Sequence, residues 1–417
     1  MRQEGFADLE GQPYPNLIPS KPELKKVIEN FSQNGFRAWI VGGAVRDSLL
    51  GQKPAEFDLC TNATPTEMKN IFENTIPTGE KYGTITIKSG EEFFEATTLR
   101  TEMDYGDGRR PEIVEWGGSL AVDLSRRDFT INSMAYDLEN KVLYDPYNGV
   151  TDLKNGVLRA VGDAHERLAE DGLRILRAYR FMDRGERGVW MPDFSLSSAL
   201  IDNRSMISLI SVERIWSEFT RIILGQNASI VLKRMNDDGV LFSILQEPID
   251  IEIAKKISTI SLDLEARLAL LMSDISNQKV KHILTRLKVS NFTLNRCSLL
   301  HSIIGISPKV EDTRVYRKVI SVDVNAHFEL NHALGFETSG IEKALEYQAE
   351  ITPLIDGNWL MERTNLQPGE KLGKLKDWLF RIQIERGYTE IEQMEAALCS
   401  IPWNIGDGNE WPKVEWP

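Results

Sequence analysis

Cysteine is scarce in this chain. Cys60, Cys297 and Cys399 are the only three, they lie far apart, and none forms a CxxC pair. That argues against a disulfide framework or a cysteine zinc site and suits a reducing compartment such as the cytoplasm. No run of about eighteen apolar residues occurs, so no membrane-spanning helix is expected. The opening stretch MRQEGFADLEGQPYPNL places acidic residues where a secretory signal needs a basic and then an apolar segment, so no secretory targeting is expected. Internal repeats and low-complexity tracts are missing. Positive charge is in deficit as well: 49 Lys and Arg face 62 Asp and Glu, for a net charge of −13. Such a balance disfavours a non-specific nucleic-acid coat but leaves room for a local basic groove.

What is present is a soluble globular composition, 41% hydrophobic and 27% charged, in a chain of 417 residues that is too long for one ordinary core. The most informative run is WIVGGAVRDSLLGQKPAEFDLCTNATP, residues 39–65. A short apolar strand (Trp39, Ile40, Val41) leads into Gly42-Gly43, and a helical stretch carrying Arg46 and Asp47 follows. Glycines at a strand-to-helix junction let backbone N–H groups approach an anion. After a Gly/Pro break, a second short strand bears Glu56 and Asp58. Carboxylates at i and i+2 of a strand share a face and can reach the same hard cation. Phosphate cradle plus metal site predicts phosphoryl or nucleotidyl transfer. Taken singly, the glycine pair also reads as a tight turn and the acidic pair as a solvated strand face.

Residues 22 to about 145 alternate helix-like and strand-like stretches. KPELKKVIENFSQNG reads as an amphipathic helix ending at Gly35. TPTEMKNIFENT has a Thr N-cap, Pro at the first helical position and Glu67 at capping-box spacing. YGTITIKSGEEFFEATTLR reads as two strands around a Ser-Gly turn. Beyond about residue 150 the strand signal fades. GVLRAVGDAHERLAEDGLRILRAYRFMDR reads as a brief extended piece and a long helix, and SVERIWSEFTRIIL, DLEARLALLMSDI and TSGIEKALEYQAEI read as further helices. Residues about 305–340 carry little pattern.

Three more strings carry chemistry. Glu95, in FFEATTLR, is a candidate third carboxylate for a metal that activates an attacking hydroxyl; it also reads as a surface residue paired with Arg100 or Lys88. In DLSRRDFTINSMAYD, Arg126 and Arg127 suit a triphosphate and Asp128 suits sugar hydroxyls, although a surface salt-bridge cluster has the same composition. In EDGLRILRAYRF, Asp171 and Arg174 are i, i+3 neighbours on a helix. A carboxylate accepting from an amino group, beside a guanidinium donating to a ring nitrogen, fits cytosine and adenine; uracil and guanine present the reverse pattern. The alternative is an intrahelical ion pair. Arg177 and Arg180 lie too far along the helix to share one base with Asp171, so they are expected to hold Asp171 and Arg174 in place or to meet phosphate or RNA.

Together GGAVRD, EFDLCTNATP, YGTITI with FEATTLR, RRDFTIN and EDGLRILRAYRF, in that order, resemble the class II tRNA nucleotidyltransferases (CCA-adding enzymes), within the family shared with bacterial poly(A) polymerases. The resemblance covers roughly residues 22 to 185. It implies an α+β chain: a polymerase-β-like nucleotidyltransferase head on a small mixed sheet, then an all-helical neck, body and tail. The corresponding division is an N-terminal extension at 1–21, a catalytic head at 22–150, a base-reading neck at 151–225, a body at 226–340 and a tRNA-binding tail at 341–417. By resemblance, Gly42, Gly43 and Arg46 contact the incoming nucleotide, Glu56 and Asp58 hold Mg²⁺ with Glu95 also catalytic, and Arg127 and Asp128 meet triphosphate and ribose. Asp171 and Arg174 template the base, supported by Arg177 and Arg180.

The stretch TEMDYGDGRRPEIVEWGG, with Asp104, Arg109 and Arg110, is similar to the family's flexible loop, which is linked to the switch from C to A addition. DGNWLMERTNLQPGEKLGKL is similar to its tail segment. Glu56 is a departure, since relatives usually have Asp there. A His-Asp phosphohydrolase activity is not expected, because none of the five histidines precedes an aspartate. The implied function is template-independent, Mg²⁺-dependent addition of C, C and A to tRNA 3′ ends from CTP and ATP with release of pyrophosphate, by a cytoplasmic monomer or homodimer without zinc or membrane. A-only addition and bacterial-type poly(A) polymerase activity are the alternatives.

Overall fold

The computed structural model describes residues 9–19, 21–103, 113–116, 118–406 and 408–417. The chain divides into two compact units, Met1–Pro248 and Ile249–Pro417.

The first unit is built on an eight-stranded sheet. Its strands are β1 (Gln12–Pro13), β2 (Ala38–Val41), β3 (Asp58–Thr61), β4 (Thr75–Gly79), β5 (Thr84–Ser89) and β6 (Glu92–Thr98). After a separate ladder of β7 (Arg100–Met103) and β8 (Ile113–Trp116) come β9 (Ala135–Asp137) and β10 (Val142–Tyr144). The order is β1-β10-β9-β2-β3-β6-β5-β4. The sheet is mixed, because β3 and β6 run parallel while the other neighbours are antiparallel. All four residues of β2 are buried, which explains why its sequence is an unbroken apolar run rather than an alternating one. Trp39, Val41 and Cys60 pack with Leu99, Leu120 and Leu124 in the core.

The helices α1 (Pro22–Gln33), α2 (Gly43–Leu49), α3 (Pro65–Ile71), α4 (Leu120–Ser125) and α5 (Gly149–Asn155) flank these strands in sequence. At α3 the predicted capping box is present: the Thr64 hydroxyl accepts from Glu67 N–H, and the Glu67 carboxylate accepts from Thr64 N–H. Phe31 and Phe72 meet edge to face at 4.9 Å, joining α1 to the end of α3. Within the N-terminal extension β1 pairs with β10, a long-range pairing.

The expected long helix after residue 160 is two helices, α6 (Ala164–Glu170) and α7 (Leu173–Met182). Asp171 is extended, with φ −149° and ψ 104°, and Gly172 caps α7. Nor is this part wholly helical: Val157–Leu158 pairs in parallel with Met191–Pro192, forming β11 and β12. Helices α8 (Phe194–Asp202) and α9 (Val212–Ile223) follow, and α9 buries Ile215, Glu218, Phe219, Ile222 and Ile223.

The described part of the second unit is helical. In the helix Leu264–Leu271 every position after the first is buried. The stretch that carried little pattern holds helices Thr313–Ile320 and Val324–Leu334, while TSGIEKALEYQAEI yields only the short Ser339–Ala344. Among the described residues no helix is long and apolar enough to cross a membrane.

Candidate active site

The strand-to-helix turn after β2 requires glycine at one position. Gly42 has φ +68°, and a Cβ there would lie 3.3 Å from Arg127 Nη1. The helix it opens has seven residues, so the positive charge at this corner comes chiefly from the guanidiniums of Arg46 and Arg127. Arg46 donates to Asn132 Oδ1 at 2.7 Å and pairs with Asp47 at 2.9 Å.

Asp58 opens β3 and sits opposite Glu95 in the parallel register of β3 and β6, so their side chains share a face. Glu56 precedes the strand rather than lying on it. Burial, then the negative charges of Glu56 and Glu95, push the Asp58 carboxyl up to about 6 against the opposing pull of Arg127. Crowded carboxylates of this kind are relieved by a cation, and hard oxygen donors fit a divalent ion. Among the described residues no group of three or more His, Cys, Asp or Glu is placed to cage a metal by itself. The donor set therefore fits an ion that takes its remaining ligands from water and a phosphate-bearing substrate.

Asp123 organises the next layer. It is 1% exposed and accepts from both Arg126 and Arg127, the latter at 3.0 Å. Burial alone would raise its carboxyl, but the two guanidiniums overcome that and hold it at about 2. Asp128, also buried, accepts from Phe129 N–H, Asn132 and Arg177, with the Arg177 bonds at 2.7 and 2.6 Å. Burial would raise Asp128 too, yet Arg177 and Asn132 bring it below the usual carboxylate value.

The break between α6 and α7 sets the base-reading candidates. Asp171 accepts from Leu173 N–H at 3.0 Å and from Arg214, on α9, at 2.7 Å. Arg174 donates to the carbonyls of Arg167 and Arg126, each at 2.9 Å, and to Glu170. Among the described residues no hydrogen bond joins the Asp171 and Arg174 side chains, so the intrahelical ion pair is not what forms. Arg177 and Arg180 do not hold that pair either: Arg177 is spent on Asp128, and Arg180 pairs with Glu218 of α9 at 3.1 Å. Both also lie over the Phe181 ring, at 5.2 and 4.4 Å, and Arg46 joins them at 5.3 Å.

Gly42, Gly43, Arg46, Glu56, Asp58, Glu95, Arg127, Asp128, Asp171, Arg174, Arg177 and Arg180 all line one cavity of about 630 Å³. Its lining holds eight arginines and six carboxylates, inside a chain whose net charge is −13. Asp104, Arg109 and Arg110, read as a flexible loop, lie outside the described residues. Sequence reasoning missed Asp123, Asn132, Phe181, Arg214 and Glu218. For Arg214 and Glu218 a signal existed, since i, i+4 spacing puts both on one face of α9.

An arginine-lined cavity with carboxylates at the start of β3 and on the adjoining β6, two interior strands of the sheet, is the arrangement of a nucleotidyltransferase, and residues 38–159 match the poly(A) polymerase head domain. Residues 193–249 match a model described as a probable RNA and SrmB-binding site of polymerase A. The CCA-adding enzyme of Lactococcus lactis subsp. lactis is 36% identical over 399 residues, covering 92% of this chain and 96% of its own. That of Ligilactobacillus salivarius is 32% identical, covering 85% and 90%. This chain belongs to the CCA-adding enzyme family, which implies use of a divalent metal. Among solved structures, the Bacillus stearothermophilus CCA-adding enzyme in complex with CTP shares the fold: TM-score 0.76, 23% identity, covering 93% of this chain and 100% of that one. A tRNA nucleotidyltransferase complexed with a primer tRNA and an incoming ATP analogue matches with TM-score 0.62 and 25% identity, covering 77% and 97%.

Proposed function

We propose that this chain adds C, C and A to the 3′ end of tRNA from CTP and ATP, without a nucleic-acid template and with release of pyrophosphate. The observation that carries the reading is the opening of Asp171 and Arg174 onto the same cavity as Asp58, Glu95 and Glu56. In this reading Asp58 and Glu56 hold Mg²⁺, with Glu95 beside them. When bound, the ion supplies charge neutralisation at the α-phosphate and a more acidic 3′-hydroxyl. Glu56, in the segment before β3, lies near enough for its charge to raise the Asp58 carboxyl. Gly42, Gly43, Arg46 and Arg127 receive the triphosphate, and Asp128, held by Arg177, faces the ribose. Asp171 accepts from the amino group of C or A, and Arg174 donates to the ring nitrogen. One bidentate contact of this kind is worth about 1–3 kcal/mol against the wrong base.

The division into head, neck, body and tail, the cytoplasmic location and the monomeric or homodimeric state belong to this same reading. Three substrates test it: tRNA ending before the first C, after one C, and after both, each incubated with Mg²⁺ and labelled nucleotides. Stepwise C, C, A products are expected. Equal incorporation of UTP or GTP would overturn the templating role, and a product extended only from the third substrate would restrict the enzyme to A addition. Asp58→Asn is expected to lower incorporation by more than about 1000-fold, the loss of several kcal/mol of metal-borne stabilisation.

A further inference from the structure

The cavity's arginines are almost all committed before any substrate arrives. Seven of the eight are bound to a carboxylate of the chain itself. The eighth, Arg221, makes no hydrogen bond or ion pair among the described residues, and it is exposed while still lining the cavity. Its position on α9 is not arbitrary. Arg214, which grips Asp171, lies seven residues earlier on the same helix. Seven residues bring a side chain back to within about 20° of the same face, about 10.5 Å along the axis. Glu218, between them, is turned inward onto Arg180. The face that fixes the base-reading carboxylate therefore continues, two turns on, to an uncommitted guanidinium.

An incoming polyanion meets mostly neutralised charge in this cavity. Each of the seven paired arginines can bind phosphate only by sharing or leaving its carboxylate, whereas Arg221 has no partner among the described residues to give up. A guanidinium fork matches phosphate oxygens bidentately. We infer that Arg221 is a phosphate-binding residue of this cavity, contacting either the incoming nucleoside triphosphate or a phosphodiester of the RNA 3′ end. The inference rests on reading the cavity as a nucleotidyl-transfer site, and it adds a residue to that reading.

The test uses binding rather than turnover. Arg221→Gln and Arg221→Glu are compared with the unaltered chain in two titrations: CTP and ATP without RNA, and tRNA lacking its 3′ end without nucleotide. Because Arg221 is exposed and unbonded, melting temperatures are expected to be unchanged. A charge-assisted bond lost gives about 5- to 30-fold weaker binding. Weakening in the nucleotide titration assigns the contact to the triphosphate, and weakening in the RNA titration assigns it to the phosphodiester, with Glu worse than Gln in either case. Unchanged dissociation constants in both titrations would overturn the inference and leave Arg221 a solvated surface residue. Failure of the unaltered chain to incorporate C and A would instead defeat the proposed function, while the two titrations would still report phosphate binding.

Discussion

At the scale of single residues, the cavity works through second partners. In the proposed function Asp171 reads a base only if its carboxylate is aimed, and two groups aim it: Leu173 N–H and Arg214. Arg214→Gln removes the charged one. Since Asp171 and Arg214 are both partly exposed, the loss in stability is expected to stay within about 1 kcal/mol. Selectivity is expected to suffer more. The ratio of kcat/KM for CTP over UTP should fall about tenfold, the equivalent of 1.4 kcal/mol of the base contact. An unchanged ratio would show that the Leu173 N–H alone suffices. Such partners were hard to see in the sequence for a physical reason. Gly42, Asp58, Arg127 and Asp171 sit in short strings whose spacing suggests their chemistry, whereas the i, i+4 spacing of Arg214 and Glu218 does not reveal that Arg214 meets Asp171, 43 residues earlier, and Asp123 gains its role only once folding buries it beneath Arg126 and Arg127.

At the scale of elements, the break between α6 and α7 matters most. A continuous helix was the natural reading of AHERLAEDGLRILRAYRF, because Asp171 and Gly172 interrupt an otherwise helical pattern by only two residues. The structure shows why glycine sits there. A Cβ on Gly172 would lie 2.9 Å from the Met206 carbonyl oxygen and 3.0 Å from Met206 Cβ, so the start of α7 packs directly on the backbone of a neighbouring segment. Its φ is −55°, which any residue adopts, so the demand is for space and not for conformation. Gly172→Ala is expected to cost about 1–3 kcal/mol of overpacking. It should also weaken CTP binding several-fold, because Asp171 and Arg174 flank the displaced residue. Thermal melts and CTP titration check the two effects together. The capping box of α3, the glycine turn of α2 and the β5–β6 hairpin were all legible, being fixed by neighbours in sequence. The pairing of β1 with β10 was not, since nothing local specifies it.

At the scale of the whole molecule, the two units carry titrating groups of opposite sign. In the second unit, His327 is fully buried, with Nε2 at 2.8 Å from the Ile303 carbonyl and Nδ1 at 2.9 Å from the Tyr316 hydroxyl. A carbonyl only accepts, so Nε2 carries the proton and Nδ1 accepts from Tyr316, which defines a neutral ring. Burial pushes its pKa down to about 4 from the usual 6.5. As pH falls below 6.5 the unfolded chain takes up a proton that the folded unit refuses, so stability is lost progressively toward pH 4. By pH 5 the loss is about 2 kcal/mol. In the first unit Asp58 runs the other way. Its folded pKa of about 6 lies above the ordinary carboxylate value, so the metal-free fold is penalised at neutral pH and regains about 1 kcal/mol by pH 5. Asp123, at about 2, does not titrate in this window. Calorimetry of the metal-free protein at pH 7.5 and pH 5.0 should therefore show the transition of the second unit moving down while that of the first holds or rises. Asp58→Asn identifies the first-unit transition by raising it at pH 7.5, and His327→Gln should flatten the acid response of the other. A common downward shift of all unfolding, indifferent to both substitutions, would show that neither group governs stability between pH 7.5 and 5.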